Sequence, residues 1–214
     1  GHSRDFVRDV LREIKPDVVH LGSPAVLGAA SLSAAQELGI PSVAIYQTDL
    51  AGFASRYHLG IAGRSIWRYI ANIHRRADLT LAPSTAAVWD LRERGVNNVV
   101  RWMRGVDLER FNPSFRDEEL RRSIAPDGQL IVGFVGRLAR EKQIERLKGL
   151  CRMPHIKVVI VGDGPMKAKL KKELKGAIFT GFKSGEELSK LYASFDVFVH
   201  TGQDETFCQA VQEA

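Results

Sequence analysis

Apolar residues along the chain follow two alternating patterns. Short apolar runs recur through the sequence, and between them apolar residues return with the period of an α-helix. The first pattern is typical of buried β-strands and the second of helices with one apolar face. The runs that predict strands are PDVVHLG, PSVAIYQTD, DLTLAPS, NVVRWM, QLIVGFVG, IKVVIVG, AIFTG and DVFVH. Because strands alternate with helices, we expect an α/β fold with parallel sheets covered on both faces.

The helical stretches carry their own boundary signals. RDFVRDVLREI places its apolar residues on one face. The next helix ends at Gly39, and Ser84 is suited to cap the helix that follows DLTLAPS. Further helices are predicted over 62–76, 143–151, 165–174 and 184–193.

The alternation is interrupted once, near residues 105–126, where neither pattern holds. An Asn-Pro turn lies inside this stretch. We therefore predict two Rossmann-like domains, over residues 1–112 and 127–214, joined by a hinge region at 113–126.

Composition narrows the class of protein. With 44% hydrophobic residues the chain can form an ordinary globular core. Its apolar runs are shorter than the roughly 20 residues of a membrane span. Two cysteines, Cys151 and Cys208, are too few for a disulfide framework or a zinc site. We therefore expect a cytoplasmic protein.

The charge is basic, with 31 Lys and Arg against 25 Asp and Glu, a net charge of +6. Such an excess is compatible with a solvated basic face, an anionic membrane surface or nucleic acid. Residues 61–78 combine Arg68 and Arg75 with Trp67 and Tyr69, as interfacial helices do, so peripheral contact at the inner face of a membrane stays open. Because no nucleic-acid motif accompanies the charge, we expect no nucleic-acid partner.

Residues that follow the predicted strands are candidates for a binding site, because doubly wound sheets bind ligands beyond the carboxyl ends of their strands. Gly136 and Arg137 come directly after LIVGFV, and with Lys142 they suit a diphosphate. Gly162 and Gly164 form the turn GDGP after VVIV. Each feature alone is equally compatible with a plain turn or surface charge, but their order at successive strand ends favours a site.

A pair of carboxylates follows the last predicted strand. Glu205 precedes a short apolar helix, and Glu213 lies eight positions later on roughly the same face. The start of that helix would offer the backbone N–H groups of Phe207 and Cys208 to an anion. Solvated glutamates are the alternative interpretation.

Taken in order, G-R-L-x-x-E-K, V-G-D-G-P and E-T-F-C-x-x-x-x-E resemble glycosyltransferase family 4. The resemblance implies a retaining enzyme of the GT-B fold, with two Rossmann-like domains that face each other across a cleft. DVVHLGSPAVLG, YQTDLAGFASRY, LAPSTAAVWDL and RWMRGVD are similar, more narrowly, to actinobacterial GDP-mannose-dependent α-mannosyltransferases. Members extend beyond both ends of this chain, so both domains are expected to be incomplete here and this piece to be weakly active or inactive.

The resemblance implies roles for the matching residues. Arg137 and Lys142 would hold the donor diphosphate and stabilise the leaving group, as a metal ion does in other enzymes. Glu205 would accept hydrogen bonds from the transferred sugar, and Glu213 from the ribose.

The rest of the donor site is implied in the same way. The base would lie near Phe182 and Lys183 and be read largely through the backbone. The sequence contains no D-x-D motif, in keeping with a family that needs no metal or other cofactor. The remaining donor-binding residues would be Gly136, Gly162, Gly164, Phe207 and Cys208.

One turn departs from the family. Many members carry a histidine after a strand of the acceptor domain, where this chain has Gln47 within Tyr-Gln-Thr-Asp. Glutamine cannot act as an acid or base. We expect the departing phosphate to deprotonate the acceptor, with Gln47 or Asp49 only positioning groups. His58 is a substitute candidate, although a surface histidine is the alternative.

Three functions follow as hypotheses. The first is transfer of mannose from GDP-mannose to a lipid-linked or glycolipid acceptor in cell-envelope glycan synthesis. The second keeps the fold but uses a UDP-sugar donor, carrying glucose, N-acetylglucosamine or sulfoquinovose. The third is an NAD-binding oxidoreductase or a non-catalytic nucleotide-binding module, against which stands the incomplete G-x-G-x-x-G pattern.

Overall fold

A computed structural model describes residues 2–23, 26–47, 61–202 and 207–214 of the chain. The described residues form two compact units. The first extends to Arg104, and the second begins at Gly105 and includes the C-terminal helix. Each unit has its own parallel sheet, as the alternation of apolar runs predicts. No helix among these residues is long and apolar enough to cross a membrane.

The first unit contains a four-stranded parallel sheet whose strands lie in chain order, β1-β2-β3-β4. Ser84 accepts a 3.1 Å hydrogen bond from the backbone N–H of Ala87, and this caps the helix after β3 as predicted. The elements are α1 (His2–Ile14), β1 (Val19–Leu21), α2 (Val26–Leu38), β2 (Ser42–Ile45), α3 (Ile61–Arg76), β3 (Leu79–Ala82), α4 (Thr85–Glu93) and β4 (Val99–Arg101).

The core of the first unit is built around small residues of α2. Ala34 and Ala35 are fully buried, as is Leu32. They pack with Ile73 of α3 and Ala44 of β2. Small side chains let helix and sheet approach closely.

The second unit also contains a four-stranded parallel sheet, in the order β7-β6-β5-β8. Its regular elements are α5 (Glu118–Ile124), β5 (Leu130–Val135), β6 (Ile156–Val161), α6 (Lys167–Glu173), β7 (Ile178–Gly181), α7 (Gly185–Ser194), β8 (Val197–Phe198) and α8 (Gln209–Glu213).

Strands β5 and β6 form the centre of this second sheet and are buried on both faces. Phe134 and Ile160 pack with Leu170 of α6 on one face. Val159 packs with Leu191 of α7 on the other. Successive side chains of a strand point to opposite faces, so a strand covered on both sides is apolar along its whole length. The continuous runs in the sequence predict this burial.

The predicted helix over 143–151 is wrong. Gln143, the first residue of that range, has a φ of 49° in the left-handed region, so an α-helix cannot include it or continue back into the turn before it. Ile144 and Leu147 are nevertheless buried, so the apolar period identified the inward face but not the type of helix. The segment instead forms 3-10 turns at Arg140–Lys142, Ile144–Lys148 and Leu150–Arg152.

Candidate active site

The second sheet reverses its strand order between β5 and β8. In parallel sheets, such a reversal leaves a crevice beyond the carboxyl ends of the strands, because the connections leave in opposite directions. Gly136 and Arg137 follow β5 at this point, and His200 and Thr201 follow β8. The motif residues after β5 therefore lie where a ligand crevice is expected.

The loops after β5 and β6 are in backbone contact. The N–H of Gly136 donates to the carbonyl of Val161 at 3.0 Å, and the N–H of Leu138 donates to the carbonyl of Asp163 at 2.9 Å. Gly162 has a φ of 132°, and a Cβ there would lie 2.0 Å from the Gly136 carbonyl oxygen. Only glycine fits this position, because the colliding atom belongs to the backbone.

A third loop joins the same assembly. The N–H of Gly162 donates to the carbonyl of Gly181, at the end of β7, at 2.8 Å. A Cβ on Gly164 would lie 2.5 Å from the Leu138 carbonyl oxygen. The structure thus brings Gly136, Gly162 and Gly164 together in one platform of backbone at the ends of three strands.

Two predicted cations lie on the loop after β5. The Arg137 side chain is exposed, and within the described ranges it has no hydrogen bond or ion pair. Lys142 is half-buried, and its backbone carbonyl accepts a 2.5 Å hydrogen bond from the buried Thr201 hydroxyl. Arg146, which no motif indicated, donates to the Thr201 carbonyl at 3.4 Å. These two contacts hold the loop against the end of β8.

The Asp163 side chain forms hydrogen bonds that stabilise the GDGP turn. Its carboxylate accepts hydrogen bonds from Lys167 at 2.5 Å and from the N–H of Gly164 at 2.8 Å. The hydrogen bond from Lys167 is the main cause of a lowered pKa of Asp163. The aspartate is therefore charged at neutral pH.

The segment after β8 is tied to α8 by two side chains. The Cys208 sulfur lies 3.4 Å from Nδ1 of His200, and Cys208 occupies the N-cap position of α8. Phe207 is half-buried. Glu205, the predicted partner of the transferred sugar, lies outside the described residues.

Glu213 contacts α7. The Tyr192 hydroxyl donates a 3.0 Å hydrogen bond to its carboxylate. Burial, and then the charge of Glu213, raises the pKa of Tyr192, so the phenol is a hydrogen-bond donor at neutral pH. Together with Phe111 and Phe195, this pair lines a cavity of about 220 Å³. The ribose-binding role of Glu213 remains a prediction for a carboxylate that already has a protein partner.

The turn predicted to face the base begins at Gly181, which has a φ of 77°. Phe182 follows with 75% of its surface exposed. The Lys183 amine pairs with Glu187 of α7 at 2.9 Å. The exposed ring and the backbone of this turn are open to a planar ligand.

Gln47 follows β2 in the first unit, and both the nitrogen and the oxygen of its side-chain amide form hydrogen bonds. Its Nε2 donates to the carbonyl of Gly22 at 2.8 Å, and Arg104 donates to its Oε1 at 2.8 Å. Sequence reasoning missed Arg104, since 57 positions separate it from Gln47. An amide held this way can orient a ligand group but cannot take up a proton. Asp49 and His58 lie outside the described residues.

Trp67, one of the aromatic residues in the interfacial pattern of residues 61–78, has ring partners within the first unit. Its ring stacks on Tyr46 with centroids 5.9 Å apart, and the Arg94 guanidinium lies 4.2 Å from its centroid. Both partners of the Trp67 ring belong to the first unit. Tyr69 remains 44% exposed.

Across the described ranges, no group of three or more His, Cys, Asp or Glu side chains is placed to hold a metal ion.

Comparison with known proteins extends these observations. The profile described as Glycosyltransferase Family 4 matches residues 3–110, and the profile described as Glycosyl transferases group 1 matches residues 115–214. A GDP-mannose-dependent alpha-mannosyltransferase of Mycolicibacterium smegmatis is 56% identical over 100% of this chain and 57% of its own length. Its counterpart in Mycobacterium tuberculosis is 55% identical over 95% of this chain and 54% of its own.

A more distant relative is a sulfoquinovosyl transferase of Arabidopsis thaliana, 39% identical over 95% of this chain and 42% of its own length. The chain spans about half the length of the curated relatives it matches.

Solved structures share the fold. Anabaena HepE, crystallised with UDP, has a TM-score of 0.77 at 21% identity, over 97% of this chain and 59% of its own. Sucrose-phosphate synthase of Thermosynechococcus elongatus has a TM-score of 0.75 at 19% identity, over 97% of this chain and 56% of its own. The predicted GT-B fold class, built from two parallel-sheet α/β units, is confirmed.

Proposed function

This chain belongs to glycosyltransferase family 4, and from that premise we propose that it forms part of a retaining enzyme that transfers mannose from GDP-mannose. The observation that carries the proposal is the set of three relatives, 52–56% identical, that are named GDP-mannose-dependent alpha-mannosyltransferase.

The proposed acceptor is a lipid-linked or glycolipid hydroxyl in cell-envelope glycan synthesis. A relative that is 30% identical is named a phosphatidylinositol dimannoside mannosyltransferase, which supports an acceptor of this kind. A cytoplasmic protein with peripheral contact at the inner membrane face would meet both a soluble donor and such an acceptor. The exposed Arg68 and Tyr69 of α3 are the side chains proposed for that contact.

We assign the donor diphosphate to the glycine platform and to the two cations beside it. The Arg137 guanidinium is free to form a bidentate contact with phosphate oxygens. Lys142 would add a second positive charge near the same crevice. Positive charge fixed in place stabilises a leaving diphosphate without reorganisation, so we propose that no metal is required.

The proposed reaction follows from this placement. The acceptor oxygen forms a bond to the anomeric carbon on the face that the diphosphate leaves, as the bond between that carbon and the phosphate oxygen breaks. Its electron pair departs with GDP, and the acceptor proton passes to a leaving phosphate oxygen. Glu205 would hold the sugar, Glu213 the ribose, and Gln47 or Asp49 the acceptor side.

A second candidate keeps the same site but takes a UDP-sugar. The sulfoquinovosyl transferase relative supports it. The base would meet the Phe182 turn in either case, and an exposed aromatic ring stacks on guanine and uracil alike.

Thermal unfolding of the chain with GDP, GDP-mannose, UDP or NAD tests the proposal. A ligand at 100 times its dissociation constant adds about 2.7 kcal/mol to the free energy of unfolding. We expect stabilisation by GDP and GDP-mannose that Arg137→Ala abolishes and a chelator leaves unchanged. Arg140→Ala, which removes another exposed arginine of the same loop, is the matched control.

The alternative outcomes separate the candidates. Stabilisation by UDP alone would favour the second donor, and stabilisation by NAD alone would contradict the family assignment of the site. If Arg137→Ala and Arg140→Ala lose equal amounts of stabilisation by GDP, ligand binding depends on the total positive charge of the loop and not on Arg137 in particular.

A further inference from the structure

A second cavity lies at the other end of the sheet in the second unit. Its volume is about 330 Å³, at the lower end of the range for small-ligand pockets. It lies between the 3-10 turn Leu150–Arg152, which leads into β6, and the end of α6, which leads into β7. It therefore opens at the amino ends of the strands. The glycine platform is at their carboxyl ends, so the two sites are separate.

Two connections form the cavity together. Gly176 has a φ of 91°, which turns the chain sharply after α6. A Cβ on Gly176 would lie 3.5 Å from the carbonyl oxygen of Cys151. This turn therefore sits directly against the 3-10 turn and places Lys175 at the rim.

The lining of the cavity is strongly positive. It carries Lys148, Arg152, Lys172 and Lys175, and one carboxylate, Glu173. In the part of the chain that the structure describes, none of these four cations has an ion pair or a side-chain hydrogen bond.

Three other lysines of the same unit do have ion-pair partners. Lys167, Lys183 and Lys190 each pair with a carboxylate of their own helix or turn, at 2.5–2.9 Å. The cations of the cavity repel one another without such compensation, and an anion would relieve that repulsion.

The remaining polar groups do not neutralise this charge. Glu173 lies 3.7 Å from Lys169, a cation outside the cavity lining, so its charge is partly compensated from elsewhere. Burial raises the pKa of the Cys151 thiol, which is therefore uncharged at neutral pH. The net charge presented to a ligand remains positive.

We propose that this cavity, lined by Lys148, Arg152, Lys172 and Lys175, binds a phosphate-bearing anion independently of the donor site. Lysine ammonium groups and an arginine fork are the side chains that bind phosphate oxygens best. The phosphate belongs either to a small soluble molecule or to the headgroup of an anionic lipid. The chemistry of recognition is the same in both cases.

The first arm of the test uses pyrophosphate and the amide NMR signals of the 214-residue chain. We expect saturable shifts for residues 148–152 and 172–176, with a dissociation constant that Arg137→Ala does not change. Lys148→Ala/Lys172→Ala should weaken this binding roughly tenfold, at about threefold for each exposed charge contact removed. Lys171→Ala/Lys190→Ala removes the same net charge from outside the cavity and should change it by less than about twofold.

The second arm uses sedimentation with vesicles of phosphatidylglycerol, with phosphatidylcholine vesicles for comparison. Shifts with pyrophosphate support a soluble ligand, and cosedimentation with phosphatidylglycerol alone, lost in Lys148→Ala/Lys172→Ala, supports a lipid headgroup. Failure of both arms, or equal weakening in the two double variants, overturns the proposal. Donor binding is read separately from the signals of residues 136–137 and 162–164, so either inference can fail alone.

Discussion

The phenol of Tyr192 on α7 donates a 3.0 Å hydrogen bond to the carboxylate of Glu213 on α8. Tyr192 is buried and also contacts the ring of Phe111 edge-on, with centroids 5.4 Å apart. One residue thus joins the last helix to the segment that begins the second unit. This contact also sets the starting position of a carboxylate that we assign to the ribose.

Tyr192→Phe tests that contact. The ring packing is kept while the hydrogen bond is lost, so we expect the free energy of unfolding to fall by about 1 kcal/mol in urea denaturation. Tyr69→Phe, at an exposed tyrosine of α3, should change it by less than about 0.5 kcal/mol. Equal effects would mean that the Tyr192 hydroxyl contributes nothing specific.

Gly162→Ala tests the glycine platform. The new Cβ would lie 2.0 Å from a backbone oxygen at a φ of 132°, and we expect a loss of more than about 2 kcal/mol in the free energy of unfolding. Gly149 has helical dihedral angles and open space around its Cβ position, so Gly149→Ala should be neutral or stabilise by up to about 1 kcal/mol. Thermal melts of both variants make the comparison. Similar stabilities would contradict the close approach of the two loops.

Arg104→Ala should release the amide of Gln47. With the hydrogen bond from Arg104 to its Oε1 lost, we expect the side-chain NH₂ signals of Gln47 to move and to exchange faster with water. Arg101→Ala removes a neighbouring exposed arginine that bonds to Thr85 instead, and should leave those signals unchanged. If Arg104→Ala also leaves them unchanged, Arg104 does not position this amide.

His74 predicts a pH dependence of stability. It is fully buried, and among the described residues its Nε2 has no hydrogen-bond partner. Burial lowers the pKa of His74 to about 4, below its usual value near 6.5. The unfolded chain therefore binds the proton first, and the free energy of unfolding should fall as the pH drops from about 6.5 to 4, by up to about 3 kcal/mol.

The measurement is urea denaturation at several pH values in that window. His74→Phe removes the titrating group and keeps a ring against Tyr46, whose centroid is 5.7 Å from that of His74. The variant should lose less stability than the parent between pH 6.5 and 4. If the free energy of unfolding falls equally with pH in the parent and in His74→Phe, protonation of His74 does not cause the loss of stability.

Much of the fold can be predicted from the sequence because buried strands and helices have recognisable local patterns of apolar residues. All eight apolar runs form strands. The pattern is clearest for β5 and β6, whose side chains pack into a core cluster on each face of the sheet. Ser84 caps its helix because the capping contact spans only three residues.

The rest depends on residues that are distant in sequence. Arg104 meets Gln47 across 57 positions and Tyr192 meets Glu213 across 21, and no local pattern encodes either pair. The left-handed Gln143 is a local exception of another kind: nothing in its residue type requires that conformation, and tertiary packing decides it. The basic cavity likewise arises only when α6 and the 3-10 turns are packed together.

The strand orders of the two sheets have a consequence during synthesis. In the first unit each strand pairs with the one made just before it, so the sheet can extend at one edge as the chain leaves the ribosome. In the second unit β5 pairs with β8, so Val132 can pair with Val197 only after Val197 has been synthesised. At 5–20 residues per second those 65 positions take roughly 3 to 13 seconds. During that interval β5 presents an unpaired edge that another nascent chain can occupy.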